Sequence, residues 1–203
     1  MTPEHALAFA VALALWALLP GPGLAAVISR TLASGARSGV SVIAGLILAD
    51  LIFLAVAVAG LFALATTLGP LFQMVKFAGA AYLIWRGIQA FRQAGIPIST
   101  DAHASGPAWR DIGLGLLITL GNPKAILFFG ALLPLFVDMA SISGADFALL
   151  AAIVIGTSFL VYGAMILAAE RARRLLTSTP AVKRLRQATG ALLVGSGVMV
   201  ATR

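Results

Sequence analysis

The chain has 203 residues, 61% of them hydrophobic and only 10% charged, with a mean hydropathy of +1.03. Those values lie far outside a soluble globular domain and imply an integral membrane protein. It contains no Cys, which excludes disulfides, thiolate metal sites and thiol redox relays, and no cofactor is expected. The net charge of +7 sits in short basic clusters between apolar runs, without a continuous basic face, so anionic lipid head groups are the expected partner and nucleic acid is not.

At the start, Ala6 to Leu19 has about the length of a signal-peptide core, but only Glu4 and His5 precede it and the first basic residue is Arg30. A signal peptide needs a positive leading region, so the segment reads as a retained first span. His5 and His103 have no second ligand at metal-site spacing and read as solvated side chains.

Six apolar stretches approach the roughly 20 residues that a helix needs to cross the hydrocarbon. They fall at 5–27, 40–66, 70–91, 112–136, 147–170 and 186–202, the last being short. Lys and Arg in short loops stay cytoplasmic. Arg30 and Arg37 follow span one, Arg86, Arg92 and Arg110 follow span three, and Arg171 to Arg186 follow span five. The loops after spans two and four hold no basic residue, so both termini are expected outside the cytoplasm.

The segment 94–108, rich in Gly, Pro and Ser, divides the chain into two three-span halves. Three is odd, so the halves insert with opposite orientation. The expected fold is all-α: six transmembrane helices as two inverted three-helix repeats, with broken helices in spans one and four. Residues 1–93 form the first repeat, 94–110 a cytoplasmic linker and 111–203 the second, in one membrane domain.

The breaks are Pro20-Gly21-Pro22-Gly23 in span one and Gly121-Asn122-Pro123 in span four. Breakers at corresponding places in two halves point to a midplane binding site built from discontinuous helices. Lys124 follows the second break. A lysine near the bilayer centre costs roughly 2.5 to 3.5 kcal/mol on insertion scales, and it lies too deep for its stem to reach either end of the span. Asp50 is the other isolated charge, with none between Arg37 and Lys76. Counted from the cytoplasmic ends, Asp50 and Lys124 lie about 15 and 18 Å deep, so an ion pair between spans two and four is geometrically allowed.

Two readings of that pair are open. It is a fixed salt bridge that locks two helices, or it is a switchable pair whose members accept an amphoteric solute, Asp50 taking the ammonium and Lys124 the carboxylate. In the second reading Asp50 also carries the coupling proton. Lys76, near the outer end of span three, reads as snorkelling, Tyr82 as facing the cavity, and Trp85 as an interfacial anchor. Steps such as Gly35-x3-Gly39 and Ala191-x3-Gly195 permit close helix contact and a homodimer without identifying one.

With these residues in view, the sequence resembles the lysine/threonine exporter superfamily, the LysE or RhtB-type proteins of the bacterial inner membrane. The resemblance covers nearly the whole chain. It rests on Pro20-Gly21-Pro22, Gly35 through Gly39, Asp50, Gly79-Ala80-Ala81-Tyr82-Leu83, Asn122-Pro123-Lys124 and Pro134-Leu135-Phe136-Val137, in that order. It implies a multi-pass inner-membrane protein that exports amino acids or their derivatives from the cytoplasm by proton exchange. The expected substrate-binding residues are Asp50, Lys124, Asn122, Pro20, Gly21, Pro22, Gly23 and Tyr82, with Asp50 as the proton carrier. One departure is Gly23, where the family commonly has Asn. The alternative is a cation or metal-ion exporter or channel of the same superfamily, although one deep carboxylate is poor for a divalent site. An enzyme is not expected, since the apolar runs hold no aspartate pair, no Ser with His and no His pair with Glu.

Overall fold

A computed structural model describes residues 1–59, 107–138 and 141–175, together with isolated helical positions at 77, 81, 84, 85, 88, 92, 187, 191, 194, 195 and 198. Every described element is helical. Helix α1 spans Pro3–Leu18, α2 Pro22–Ser34, α3 Ala36–Val58, α4 Ala108–Leu120, α5 Pro123–Leu127 and α6 Gly144–Leu175. A π-helical turn at Phe128–Leu132 and a 3-10 turn at Leu133–Leu135 continue α5.

The boundaries follow from local chemistry. Thr2 caps α1, its hydroxyl accepting from the His5 amide at 3.4 Å, and Pro3 occupies the first turn, where its missing N–H costs nothing. Leu19 is driven to extended backbone by Pro20, so α1 stops there. Pro22 then opens α2 from an extended Gly21, and the two helices meet at a bend of 63°. The second break repeats the device. Helix α4 ends at Gly121, the Asn122 side chain accepts from the Lys124 amide at 3.1 Å, Pro123 sits at the start of α5, and the segments diverge by 60°.

The π turn has a local cause downstream. Pro134 brings no N–H to the Gly130 carbonyl and its ring crowds that position, so regular helix cannot run through it. The wider turn also sends the adjacent Phe128 and Phe129 both into the interior, each 1% exposed. Helix α6 begins with a reciprocal cap: Ser143 Oγ accepts from the Asp146 amide at 3.2 Å while Asp146 Oδ2 accepts from the Ser143 amide at 3.0 Å.

Among the described residues, Ala36–Val58 and Gly144–Arg173 are each long and apolar enough to cross a membrane, and counting each bent pair as one span gives four. On α1, Leu7, Val11, Leu15 and Leu18 form one exposed stripe at helical spacing, the face expected against lipid. Spans three and six, and with them Lys76 and Tyr82, lie outside the described residues apart from the isolated positions.

Two expected limits are corrected. Span one does not end near residue 27; α2 runs on to Ser34, because Gly35 is the first residue after Pro22 that breaks the helix. Arg30 is therefore a helical residue and not a loop charge. Span five likewise continues through Arg171 and Arg173 to Leu175, with about 48 Å of helix against a hydrocarbon layer of about 30 Å.

The described residues form two cores. One joins α1, the second half of α3, the π turn and the first half of α6 through Phe9, Leu13, Phe53, Phe128, Phe129 and Val154. The other joins α2, the first half of α3, and α4 through Val27, Val42, Ile43, Leu46, Leu114 and Ile118, with Ile166 of α6. Helices α3 and α4 come into backbone contact: a Cβ added to Gly45 would stand 2.0 Å from the Ile112 carbonyl oxygen, and one on Gly115 2.2 Å from that of Val42.

Candidate functional site

A cavity opens where the two cores meet, at the level of both helix breaks. It encloses about 550 Å³, its mouth included, and takes walls from α1, α2, α3, α4, α5, the π turn and α6. Its apolar surface comes from Leu13, Leu24, Leu46, Phe128 and Phe129, and its polar surface from Thr119, Asn122, Ser158 and Tyr162. Among the described residues, Asp50 and Lys124 are its two charged ones.

Lys124 is held by the break in the other half of the chain. Its ammonium donates to the Trp16 carbonyl at 2.5 Å and to the Leu19 carbonyl at 2.9 Å, where α1 stops and, among the described residues, the Trp16 carbonyl otherwise accepts only the Leu19 amide at 3.3 Å. It also lies 5.4 Å from the centroid of the Trp16 ring. The lysine placed by one break thus completes the other. One of its three N–H groups remains for a third partner.

Asp50 stands on α3, half-buried against the same cavity, and among the described residues no hydrogen-bond donor or cation is bonded to it. The salt bridge that the depth estimate allowed is not formed: similar depth brings both groups to one cavity, but the carbonyls of α1 compete for the ammonium and hold it at the break.

The structure treats the remaining expected residues unequally. Gly21, Gly23 and Asn122 line the cavity, whereas Pro20 and Pro22 shape the break without lining it. The Lys124 stem passes Gly21, where an added Cβ would lie 3.8 Å from its Cδ. A Cβ on Gly23 would lie 3.3 Å from Leu46 Cδ2 and 3.9 Å from the Tyr162 hydroxyl, so the glycine lets Leu46 pack close against α2 beside that hydroxyl. Tyr82 lies outside the described residues.

Sequence reasoning passed over Trp16, Thr119, Ser158 and Tyr162. Ser158 and Tyr162 carried a usable signal, because two hydroxyl residues four apart in an apolar run share one helix face. It also passed over Asp111, which sits 4% exposed at the start of α4 and pairs with Arg30 of α2, Arg30 Nε lying 2.7 Å from its Oδ1.

Broken apolar helices around a cavity with two opposite charges define a transmembrane transport protein. The chain belongs to the LysE family: the model described as LysE type translocator matches residues 14–203. It is 31% identical to the homoserine/homoserine lactone efflux protein of Salmonella typhimurium over 203 residues, 100% of this chain and 98% of the relative. It is 30% identical to the leucine efflux protein of an Enterobacter species over 189 residues, 91% of this chain and 89% of that protein. An uncharacterized membrane protein of Vibrio cholerae is 31% identical over 198 residues, covering 97% and 96% of the two chains. No solved structure gives a significant match.

Proposed function

We propose that this protein is a secondary transporter that exports amino acids or their derivatives from the cytoplasm by proton antiport. One observation carries the reading: a cavity at both helix breaks holds one carboxylate and one ammonium that are not paired with each other. A zwitterion satisfies both at once, with its ammonium at Asp50 and its carboxylate at the remaining N–H of Lys124, while Leu24, Leu46, Phe128 and Phe129 offer an apolar wall to its side chain. The names of the leucine and homoserine efflux relatives agree with such a solute. Asp50 alternates between proton and substrate, which makes export and proton entry exclusive at one carboxylate.

The same reading takes the two breaks as equivalent positions of inverted repeats, 1–93 and 111–203, in a bacterial inner membrane with both termini outside. The similar bends of 63° and 60° support that equivalence. The test is counterflow and proton-driven export in proteoliposomes across the proteinogenic amino acids and homoserine lactone. Asp50→Asn is expected to abolish proton-driven export, while Lys124→Met weakens substrate binding. Full proton-driven export by Asp50→Asn sinks the coupling assignment. Absence of amino-acid flux together with metal-ion flux favours the cation-exporter alternative.

A further inference from the structure

Helix α2 is a half-helix with a break at each end. Leu19 to Gly21 precede it, and Gly35 follows at φ 88°, the left-handed region open to glycine. Near its far end, Arg30 enters a buried polar cluster drawn from three helices. Its Nε donates to Asp111 Oδ1 at 2.7 Å, and its Nη2 donates to Asp111 Oδ2 at 3.1 Å and to Ser38 Oγ at 3.2 Å. Ser38 Oγ donates in turn to Asp111 Oδ2. Ser38 is 2% exposed and Asp111 4%, so both carboxylate oxygens are engaged out of water.

The three partners stand at one level below the cavity. Gly23, Leu46 and Thr119 line it on α2, α3 and α4. Arg30, Ser38 and Asp111 lie seven or eight residues away on the same helices, about 11 to 12 Å along each axis. Between the two levels Val27, Val42, Ile43, Leu114 and Ile118 are all buried. Among the described residues the cavity is therefore shut on this side twice, by an apolar plug and then by the ionic cluster. This is also the side where Arg37, Arg110 and Arg173 lie in the terminal turns of α3, α4 and α6.

Opening a path to this face requires the three helices to part somewhere. Helices α3 and α4 touch backbone to backbone at Gly45 and Gly115, an interface that tolerates little sliding. Helix α2 is the piece that two breaks free to swing, and Arg30 is its charged tie to α4. We propose that α2 is the gate between the cavity and the face of the membrane that carries these arginines, with Arg30, Ser38 and Asp111 as its latch. The inference rests on the reading of the cavity as a transport site. Removing one member of a buried ion pair leaves the other charge uncompensated, and the release of α2 toward water relieves it.

The absence of Cys makes a direct test available. A single thiol is placed in the cavity as Thr119→Cys, and its modification by a membrane-impermeant maleimide is followed in oriented vesicles from each face. With the latch intact, modification from the arginine-bearing face is expected to be slow. Asp111→Asn is expected to raise that rate about tenfold, equivalent to about 1.4 kcal/mol taken from the closed state. The exchange Arg30→Asp with Asp111→Arg returns the rate toward its starting value. Where Asp111→Asn is not recovered as monodisperse protein, Ser38→Ala carries the test, with a smaller increase expected. An unchanged rate, an increase confined to the opposite face, or an exchange variant as reactive as Asp111→Asn overturns the latch. The thiol readout needs no substrate: a responsive thiol without amino-acid flux removes the solute assignment alone, and a silent thiol in an active exporter removes the latch alone.

Discussion

Single residues set how closely the helices approach. Gly45 and Gly115 allow α3 and α4 to touch, whereas Gly113, on the same helix as Gly115, has nothing within 4 Å of an added Cβ. Gly45→Ala is expected to destabilise the protein by roughly 1 to 3 kcal/mol through overpacking against backbone. Gly113→Ala is expected to be neutral or to stabilise by up to about 1 kcal/mol, since Ala is the better helix former. Thermal unfolding in detergent separates the two, and equal effects at both positions count against the close approach. At this scale the sequence announces Asp50 and Lys124, because a lone charge inside an apolar run has no bland surroundings to hide in. Asp111 is hidden because it adjoins Arg110 at the edge of a basic segment, and its partner is 81 residues away. Trp16 is hidden for another reason: the hydrogen bond it accepts from Lys124 is made by a backbone carbonyl, which no residue type signals.

At the scale of elements, Pro and Gly mark both breaks in the sequence, and the helices stop within a residue or two of them. What the pattern leaves open is how far helix resumes. No proline follows Pro22 for many residues, and the end of α2 depends on Gly35, which among the described residues is the one position with positive φ. An added Cβ there would also lie 2.9 Å from Arg173 Nη1. Gly35→Ala is expected to cost about 1 to 3 kcal/mol, the cost of an L-residue held at positive φ with extended ψ, a region essentially reserved for glycine, and to lower the melting temperature in detergent without changing the helix content by circular dichroism. Retention of wild-type stability would place the end of α2 elsewhere. The irregular stretch after α5 was not legible, since Pro134 in an apolar run marks a disturbance without saying whether the chain widens, tightens or bends.

For the whole molecule, hydropathy suffices to recognise a membrane protein, and the charge asymmetry supplies an orientation to test. Single cysteines at Ser141, before α6, and at Trp109, which is 67% exposed at the start of α4, fall on opposite faces in that orientation. In intact cells Ser141→Cys is expected to react with an impermeant maleimide, and Trp109→Cys only after permeabilisation. The reverse pattern inverts the topology and, with it, the direction of transport. The cavity itself was legible as a place where two breaks and two charges converge, but not as an arrangement. Depth along an axis comes from counting residues, whereas the partner of a charge depends on which acceptors neighbouring helices leave open.

The paired breaks have an electrostatic consequence of their own. Helices α1 and α4 end at the cavity, and α2 and α5 begin there. Each helix end carries about half an elementary charge, negative at the carbonyl ends and positive at the amide ends, so the four contributions cancel. Asp50 and Lys124 cancel as well. The site sets charged and polar groups among apolar ones yet is close to neutral in sum, so a solute with a net charge upsets the balance, whereas one with two opposite poles and no net charge leaves it intact.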